Sequence, residues 1–337
     1  MKERIWLAPM GGEAACAPLV AAVAEAGAFA WLGGAYMAPV KLAETVDAIR
    51  ALTRHDFGVN LFCPQAWRRD PQREAAFLEA LAPFHAALGL PPPVLPARFE
   101  EDFEAQLAVL VDRRVPVIGF TFGDPGAARV AALHAAGVRV VGTATNVPEA
   151  RQLAASGVDA LIAQGAEAGA HRGSFLGARD EGLVGTLALV PQVVDAVPVP
   201  VIAAGGIADP RQVAAVRALG ASAAAVGTAF LLADECPIAP AYRAALEAGS
   251  AHETVLTAAF SGRWARGLAN RFTRATEGLA LPDFPIPNAL TRPLRQAAGR
   301  AGAADFLSLW AGQGLPLARR APAAEIVRRL AAGWGDD

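Results

Sequence analysis

Residues 158–175 read VDALIAQGAEAGAHRGSF. An apolar run, Ala160 to Ala163, stops at Gln164 and Gly165, and a loop rich in small residues follows with a lone histidine, His171. A short buried strand opening into such a loop is the usual form of a βα active-site loop in an α/β barrel. Its glycines let backbone come close to a flat or anionic ligand with no Cβ in the way. The imidazole is the only side chain there that moves a proton near neutral pH.

The same unit recurs on both sides of this stretch. Candidate strands are Arg4–Ala8, Ala28–Leu32, Phe57–Leu61, Val115–Phe120, Arg139–Thr143, Ala160–Ala163, Val199–Ala203 and Ala223–Val226. Alanine-rich helical segments separate them: Ala14–Ala26, Val40–Leu52, Phe99–Asp112, Gly126–Ala136, Val147–Ser156, Thr186–Asp195 and Pro210–Leu219. Asp-Pro or Pro opens several helices and glycine closes others, as helix capping requires. Eight βα units predict an α/β fold of the (β/α)8 TIM-barrel type rather than an open sheet.

Two segments break the repeat. Pro64 to Glu100, after the third strand, holds a helix over Gln72–Leu88 and a triple-proline break at Pro91. Beyond the eighth strand, residues 236–314 predict a helical second lobe, and Ala321–Leu330 predicts the closing helix. The expected division is therefore a barrel of residues 1–235 plus 315–337 and a cap of residues 236–314.

Composition narrows the class. With 54 % apolar and 18 % charged residues, the 337-residue chain can bury a large core, and a net charge of −2 gives no general pull toward nucleic acid or anionic membranes. No uncharged apolar window is long enough to span a bilayer. The N-terminus reads as a first strand, not as a leader. Three scattered cysteines (Cys16, Cys63, Cys236) suit a reducing cytoplasm, so a cytoplasmic location is expected. The five histidines form no cluster with Cys or carboxylates, so no metal site is expected, and His55, His85, His134 and His252 read as surface. Nothing in the sequence sets an oligomeric state.

The seventh and eighth strands end in VPVIAAGGIADP and AAAVGTAF. Barrels commonly hold a phosphate on the loops after these two strands, and Gly205, Gly206, Gly227 and Thr228 are the residue types that role needs. Close packing of strand ends would also favour glycine. Pro9-Met10-Gly11-Gly12 ends the first strand and could lie along a ring edge or be a plain turn. Asn60 and Gln164, at strand ends, need hydrogen-bond partners that a ligand or a neighbouring loop could supply. Ser261 and Arg263 in the cap are candidates for holding an anionic substrate, although surface charge would read the same.

The loop QGAEAGAHRGSF resembles the QGxEAGGHRGTF loop of the nitronate monooxygenases, formerly called 2-nitropropane dioxygenases. APMGG, GVNLF, VIGFTFGDP, VGTATNVPEA, VIAAGGIADP, GTAFLLADE, SGRWARGLANRF and LWAGQGLPLAR also look like family segments, in family order. The resemblance implies an FMN-binding barrel with a helical second lobe. It puts FMN against Met10, Gly11, Asn60, Gln164, Gly169, Gly206, Gly227 and Thr228, and makes His171 the catalytic histidine. Two departures are Ala170, where the family commonly has a second glycine, and Trp264, where proline is common. The chain has two tyrosines, Tyr36 and Tyr242, which leaves open whether tyrosines line a nitro pocket here.

The implied activity is FMN-dependent oxidation of alkyl nitronates, and of nitroalkanes, by O2 to carbonyl compounds and nitrite. The competing reading is an FMN-dependent NAD(P)H reductase of a quinone or enoyl thioester on the same scaffold. A flavin-binding protein without chemistry is a third, and the intact His171 argues against it.

Overall fold

The computed structural model describes residues 3–177 and 179–335. In chain order the strands are β1 (Ile5–Leu7), β2 (Phe29–Gly33), β3 (Phe57–Phe62), β4 (Val117–Thr121), β5 (Arg139–Ala144), β6 (Ala160–Gln164), β7 (Ala170–His171), β8 (Val201–Ala204), β9 (Ala223–Val226), β10 (Thr254–Thr257) and β11 (Ala265–Leu268). The helices are α1 (Ala17–Glu25), α2 (Pro39–Leu52), α3 (Pro71–Ala87), α4 (Phe103–Asp112), α5 (Ala127–Ala135), α6 (Val147–Ala155), α7 (Thr186–Ala196), α8 (Pro210–Ala218), α9 (Thr228–Leu231), α10 (Pro240–Ala248), α11 (Arg271–Ala275), α12 (Ile286–Ala301) and α13 (Ala323–Ala331). The eight expected strands pair in parallel and close as β1-β2-β3-β4-β5-β6-β8-β9, with β1 returning to β9. The helices lie between them in sequence and pack outside, as a (β/α)8 barrel demands.

Strand periodicity decides what the barrel encloses. Alternate residues of each strand point inward. Trp6, Phe29, Trp31, Val117, Val141, Ala160, Ile162, Ile202, Ala204, Ala223 and Ala225 form one interior cluster, apart from the larger layer between strands and helices. Trp6, Phe29 and Trp31 pack with ring centroids 5.0–6.0 Å apart. Trp31 needs space, and β3 and β4 provide it through Gly58 and Gly119. An added Cβ at Gly58 would overlap the Trp31 ring, and one at Gly119 would lie 2.8 Å from it. The same inward parity, carried to the C-terminal ends of the strands, replaces bulk with polar groups: Asn60, Thr121, Thr143 and Gln164. The barrel is thus filled at one end and leaves a polar floor at the other.

The segment after the eighth strand is not only helical. Besides α10, α11 and α12 it holds β10 and β11, which pair antiparallel, and β11 pairs in turn with β7. Sequence spacing missed these strands because each is short and their residues alternate poorly. In the insert after β3, Asp70 caps α3 by accepting from the backbone N–H groups of Gln72 and Arg73. One histidine reading is corrected here. His85 is buried at 4 % exposure, its Nδ1 2.7 Å from the Pro91 carbonyl, so it fastens α3 to the triple-proline break. His55, His134 and His252 are exposed as expected. The closing helix α13 packs on α1 and α8. Among the described residues no helix is long and apolar enough to cross a membrane, and no group of three or more His, Cys, Asp or Glu side chains could hold a metal.

Because Gly58 exists to admit Trp31, Gly58→Ala should destabilise the barrel by about 1–3 kcal/mol through overpacking. Urea unfolding measures it, and Trp31→Leu in the same chain should recover most of the loss. An unchanged midpoint in Gly58→Ala would contradict the packing described.

Candidate active site

The loop that leaves β6 is held by buried polar side chains rather than by apolar packing. The Gln164 amide spans it, with Nε2 donating to the His171 carbonyl (3.0 Å) and Oε1 accepting from the Gly173 N–H (2.8 Å). Arg172, 3 % exposed, turns its guanidinium back and donates to the carbonyls of Gly165, Gln164 and Gly182. The Glu149 carboxylate, fully buried on α6, accepts from the N–H groups of Thr145, Phe175 and Leu176. Gly169 passes so near the chain at 311–312 that a Cβ there would lie 2.6 Å from the Gly312 nitrogen. Ala170, the residue in place of the family's glycine, adopts φ +61°, a left-handed conformation that costs a non-glycine residue about 1–2 kcal/mol.

His171 lies at the junction of barrel and cap. As part of β7 it pairs with Ala265 of β11. Its Nε2 is 2.8 Å from the Ser261 hydroxyl oxygen. That hydroxyl donates to the Arg263 carbonyl at 2.9 Å, and a carbonyl can only accept. Ser261 Oγ therefore accepts from His171, so the neutral ring carries its proton on Nε2 and leaves Nδ1 as the lone-pair nitrogen. Around the ring stand Phe122 and Trp310 (each 5.7 Å between centroids), Phe284 (6.2 Å) and Phe62 (6.4 Å). Desolvation by these neighbours, followed by the positive charges of Arg263 and Arg295, pulls the imidazole pKa down to about 3. Phe122 is itself strained, at φ +74°, and the Arg263 guanidinium lies 3.9 Å above its ring.

A cavity of about 590 Å3 opens above the polar floor, a size suited to one small-molecule ligand or cofactor. Its wall includes every cofactor candidate read from the sequence: Met10, Gly11, Asn60, Gln164, Gly169, Gly205, Gly206, Gly227 and Thr228, together with His171. Asn60 Oδ1 accepts from the Thr121 hydroxyl at 3.2 Å. Thr228 Oγ1 accepts from the Gly312 N–H at 3.0 Å, which leaves its own hydrogen for an anionic oxygen. Ser261 and Arg263 do not line this cavity. Ser261 stands behind the histidine, and Arg263 donates to the Ser174 carbonyl while covering Phe122. Their expected place against substrate is corrected to support of His171.

Several wall residues were not anticipated: Tyr36, Thr121, Thr143, Trp310 and, on α12, Asn288, Arg292, Arg295 and Gln296. Thr121 and Thr143 could have been found from strand parity, since they share the inward phase of Trp31 and Val117. The α12 residues carry a 288/292/295/296 spacing that marks one helix face. Nothing in the sequence says which surface that face meets.

The family model described as nitronate monooxygenase matches residues 2–333 of the chain. The chain is 43 % identical to a nitronate monooxygenase of Pseudomonas aeruginosa strain PAO1, over 98 % of this chain and 95 % of that protein. It is 40 % identical to a probable nitronate monooxygenase of Staphylococcus aureus, over 93 % and 89 %. Among solved structures, a nitroalkane oxidase from Streptomyces ansochromogenes superposes with a TM-score of 0.93 at 41 % identity, covering 98 % of this chain and 95 % of that one.

The depressed pKa of His171 sets a sign for acid stability. An imidazole in the unfolded chain protonates near 6.5, whereas the folded ring stays neutral to about 3. Between those values the unfolded state binds more protons, so the stabilising contribution is complete above pH 6.5 and is lost as pH falls toward 3. Melting temperatures of the wild type and His171→Asn between pH 7 and 4 should show a shallower acid decline in the variant. Parallel curves would mean that the folded ring titrates normally.

Proposed function

The chain belongs to the nitronate monooxygenase family, and from that premise we propose that it uses FMN and O2 to convert alkyl nitronates, and nitroalkanes deprotonated in the site, to carbonyl compounds and nitrite. Family membership makes it an oxidoreductase acting on nitronates or nitroalkanes. The finer reading rests on one observation: a single cavity brings His171 together with the glycine-bearing ends of β1, β8 and β9.

The wall fits FMN. Gly205 and Gly206 hold φ values of +123° and +71°, so the backbone turns toward the cavity as only glycine readily allows. Gly227 and Thr228 present a bare backbone and a free hydroxyl hydrogen beside them, the donor set for a terminal phosphate. Met10 and Gly11 line the same cavity and would border the ring system, with Asn60, Gln164 and Gly169 along it. Bound there, FMN would supply the redox chemistry and the reaction with O2.

The chain's own residues then bind, orient and move a proton. His171 is neutral at working pH, and Nδ1 is its available base, directed by the Ser261 hydrogen bond at Nε2. It takes the α-proton of a neutral nitroalkane; a nitronate arrives without that proton. Desolvation weakens the base most and the Arg263 and Arg295 charges add to it; an approaching negative charge offsets the charge part, so proton affinity rises as charge develops on substrate. Phe62, Phe122, Phe284 and Trp310 pack around the ring and surround it with apolar surface. The Gln164 and Arg172 clamps hold the loop so that the base does not drift.

Two measurements test this. Gly227 has φ −106°, and an added Cβ would meet only Ala8 and Met10, at 3.7 and 3.8 Å. Gly227→Val should therefore fold normally yet retain FMN at least about tenfold more weakly, because a branched side chain would crowd the cavity wall between Met10 and Thr228. Gly206 is less clean, since at φ +71° its own backbone would be strained by any side chain. Normal flavin content in a folded Gly227→Val would move the cradle elsewhere. His171→Asn should keep FMN and lose about 10²–10⁴-fold on neutral nitroalkanes. Its loss on preformed nitronates should be smaller; equal losses would remove the base role. Anaerobic bleaching of the flavin by NADPH, and not by a nitronate, would assign the site to a reductase instead.

A further inference from the structure

The reaction proposed above does not account for the cationic face of α12. Arg292, Arg295, Asn288 and Gln296 all line the cavity. Arg295 donates to the carbonyl and Oδ1 of Asn288, at 3.0 and 2.9 Å, both neutral acceptors, and its Nε has no partner. Arg292 has neither a hydrogen bond nor an ion pair among the described residues. Tyr36, on the same wall, carries a buried hydroxyl that is also without a partner. Burial pushes its phenol up to about 12, so it stays a neutral donor. Among the described lining residues the only carboxylate is Glu13, whose Oε2 already accepts from the Ala239 N–H.

Two guanidinium groups against one carboxylate leave this part of the wall positive. In a concave, partly buried site that charge is less screened than it would be on an open surface. Both arginines are partly buried, and Arg295 is desolvated enough to lower its pKa, so an anion arriving in the cavity would relieve a cost that no ion pair among the described residues offsets. The wall also lies close to the histidine. The Tyr36 ring stands 5.3 Å from Phe62, whose ring is 6.4 Å from His171. On its other side Tyr36 lies over Gly11, where an added Cβ would be 3.1 Å from the phenol ring, so it borders the expected flavin edge.

We propose that Arg292, Arg295 and the Tyr36 hydroxyl form an anion-recognition wall that holds the nitro oxygens of the substrate, whether their charge arrives with a nitronate or develops as a nitroalkane is deprotonated. The inference rests on the oxidation reaction proposed above. It has a kinetic signature that follows from when the charge is present. A nitronate is charged in the ground state, so the wall contributes to its binding and appears in KM. A nitroalkane is neutral until the proton leaves, so the wall lowers its transition state and appears in kcat.

The test uses the FMN-loaded enzyme with 1-propyl nitronate and 1-nitropropane, in the wild type, Arg292→Gln, Arg295→Gln, Arg295→Lys and Tyr36→Phe. Arg292→Gln should raise the nitronate KM about 10- to 100-fold, the range for a lost charge-assisted hydrogen bond, and lower kcat on 1-nitropropane with little change in its KM. Arg295→Lys should keep most of what Arg295→Gln loses. Flavin content and circular dichroism report whether each variant is folded, and Arg292, only half-buried, is the arm that tests the wall if Arg295 variants do not fold. Nitrate, a planar oxyanion the enzyme cannot oxidise, gives a readout independent of turnover: its dissociation constant, followed by flavin absorbance, should weaken at least tenfold in Arg292→Gln. The proposal is overturned by an unchanged nitronate KM, by the same parameter moving for both substrates, or by loss of FMN with KM intact, which would give the arginines to the cofactor. Failure of the wild type to turn over either compound would sink the reaction, while the nitrate titration would still decide the wall.

Discussion

The pairing of His171 with Ala265 is the constraint on which the site depends. It makes a two-residue piece of a barrel loop into the edge of a cap sheet. Through it the end of β6, the cap hairpin and the serine behind the histidine become one rigid unit. Without the pairing the histidine would sit on a glycine-rich loop with many conformations and no fixed nitrogen toward the cavity. With it, Ser261 is placed to accept from Nε2, and this cap residue orients the histidine without lining the cavity.

The cost of holding the loop this way is visible in its polar anchors. Gln164, Arg172 and Glu149 each satisfy two or more backbone groups that a tight loop would otherwise leave unpaired. Satisfied buried networks of this kind rigidify, and removing one member strands the others. Backbone strain collects in the same place. Ala170 and Phe122 both hold positive φ, and both stand next to the histidine. Strain persists where surrounding structure over-determines the conformation, and here the cap sheet on one side and the Arg263 guanidinium on the other do so.

Charge is distributed across the cavity in a way that fits the proposed chemistry. The glycine-bearing ends of β8 and β9 offer hydrogen-bond donors for a phosphate without a formal charge. The cap offers formal positive charge from α12. The same cavity holds the imidazole of His171, its pKa lowered by desolvation and by the charges of Arg263 and Arg295. The rings of Phe62, Phe122, Phe284 and Trp310 pack around the imidazole, so charges act on it more strongly than they would at the surface.

The βα rhythm was legible in the sequence, since alternating short apolar runs and alanine-rich helices have one economical parallel solution, and Ala223–Val226 was read to the residue. The glycines at 205, 206 and 227 and the lone histidine were legible for a related reason: strand order places their loops at one end of the barrel. What sequence could not carry depends on residues far apart in the chain. Ser261 and Arg263 were candidates for holding substrate or plain surface charge, and only folding placed Ser261 against His171 and Arg263 over Phe122, 90 and 92 positions along the chain from His171. His85 was read as surface because its burial depends on a proline carbonyl beyond its own helix. The α12 face had a helical spacing that any cap helix could show. That it meets the cavity, and that its arginines form no ion pair there among the described residues, was decided by how the cap closes on the barrel. Local periodicity determines which elements form; the tautomer, charge state and surroundings of a catalytic group are set by long-range contacts.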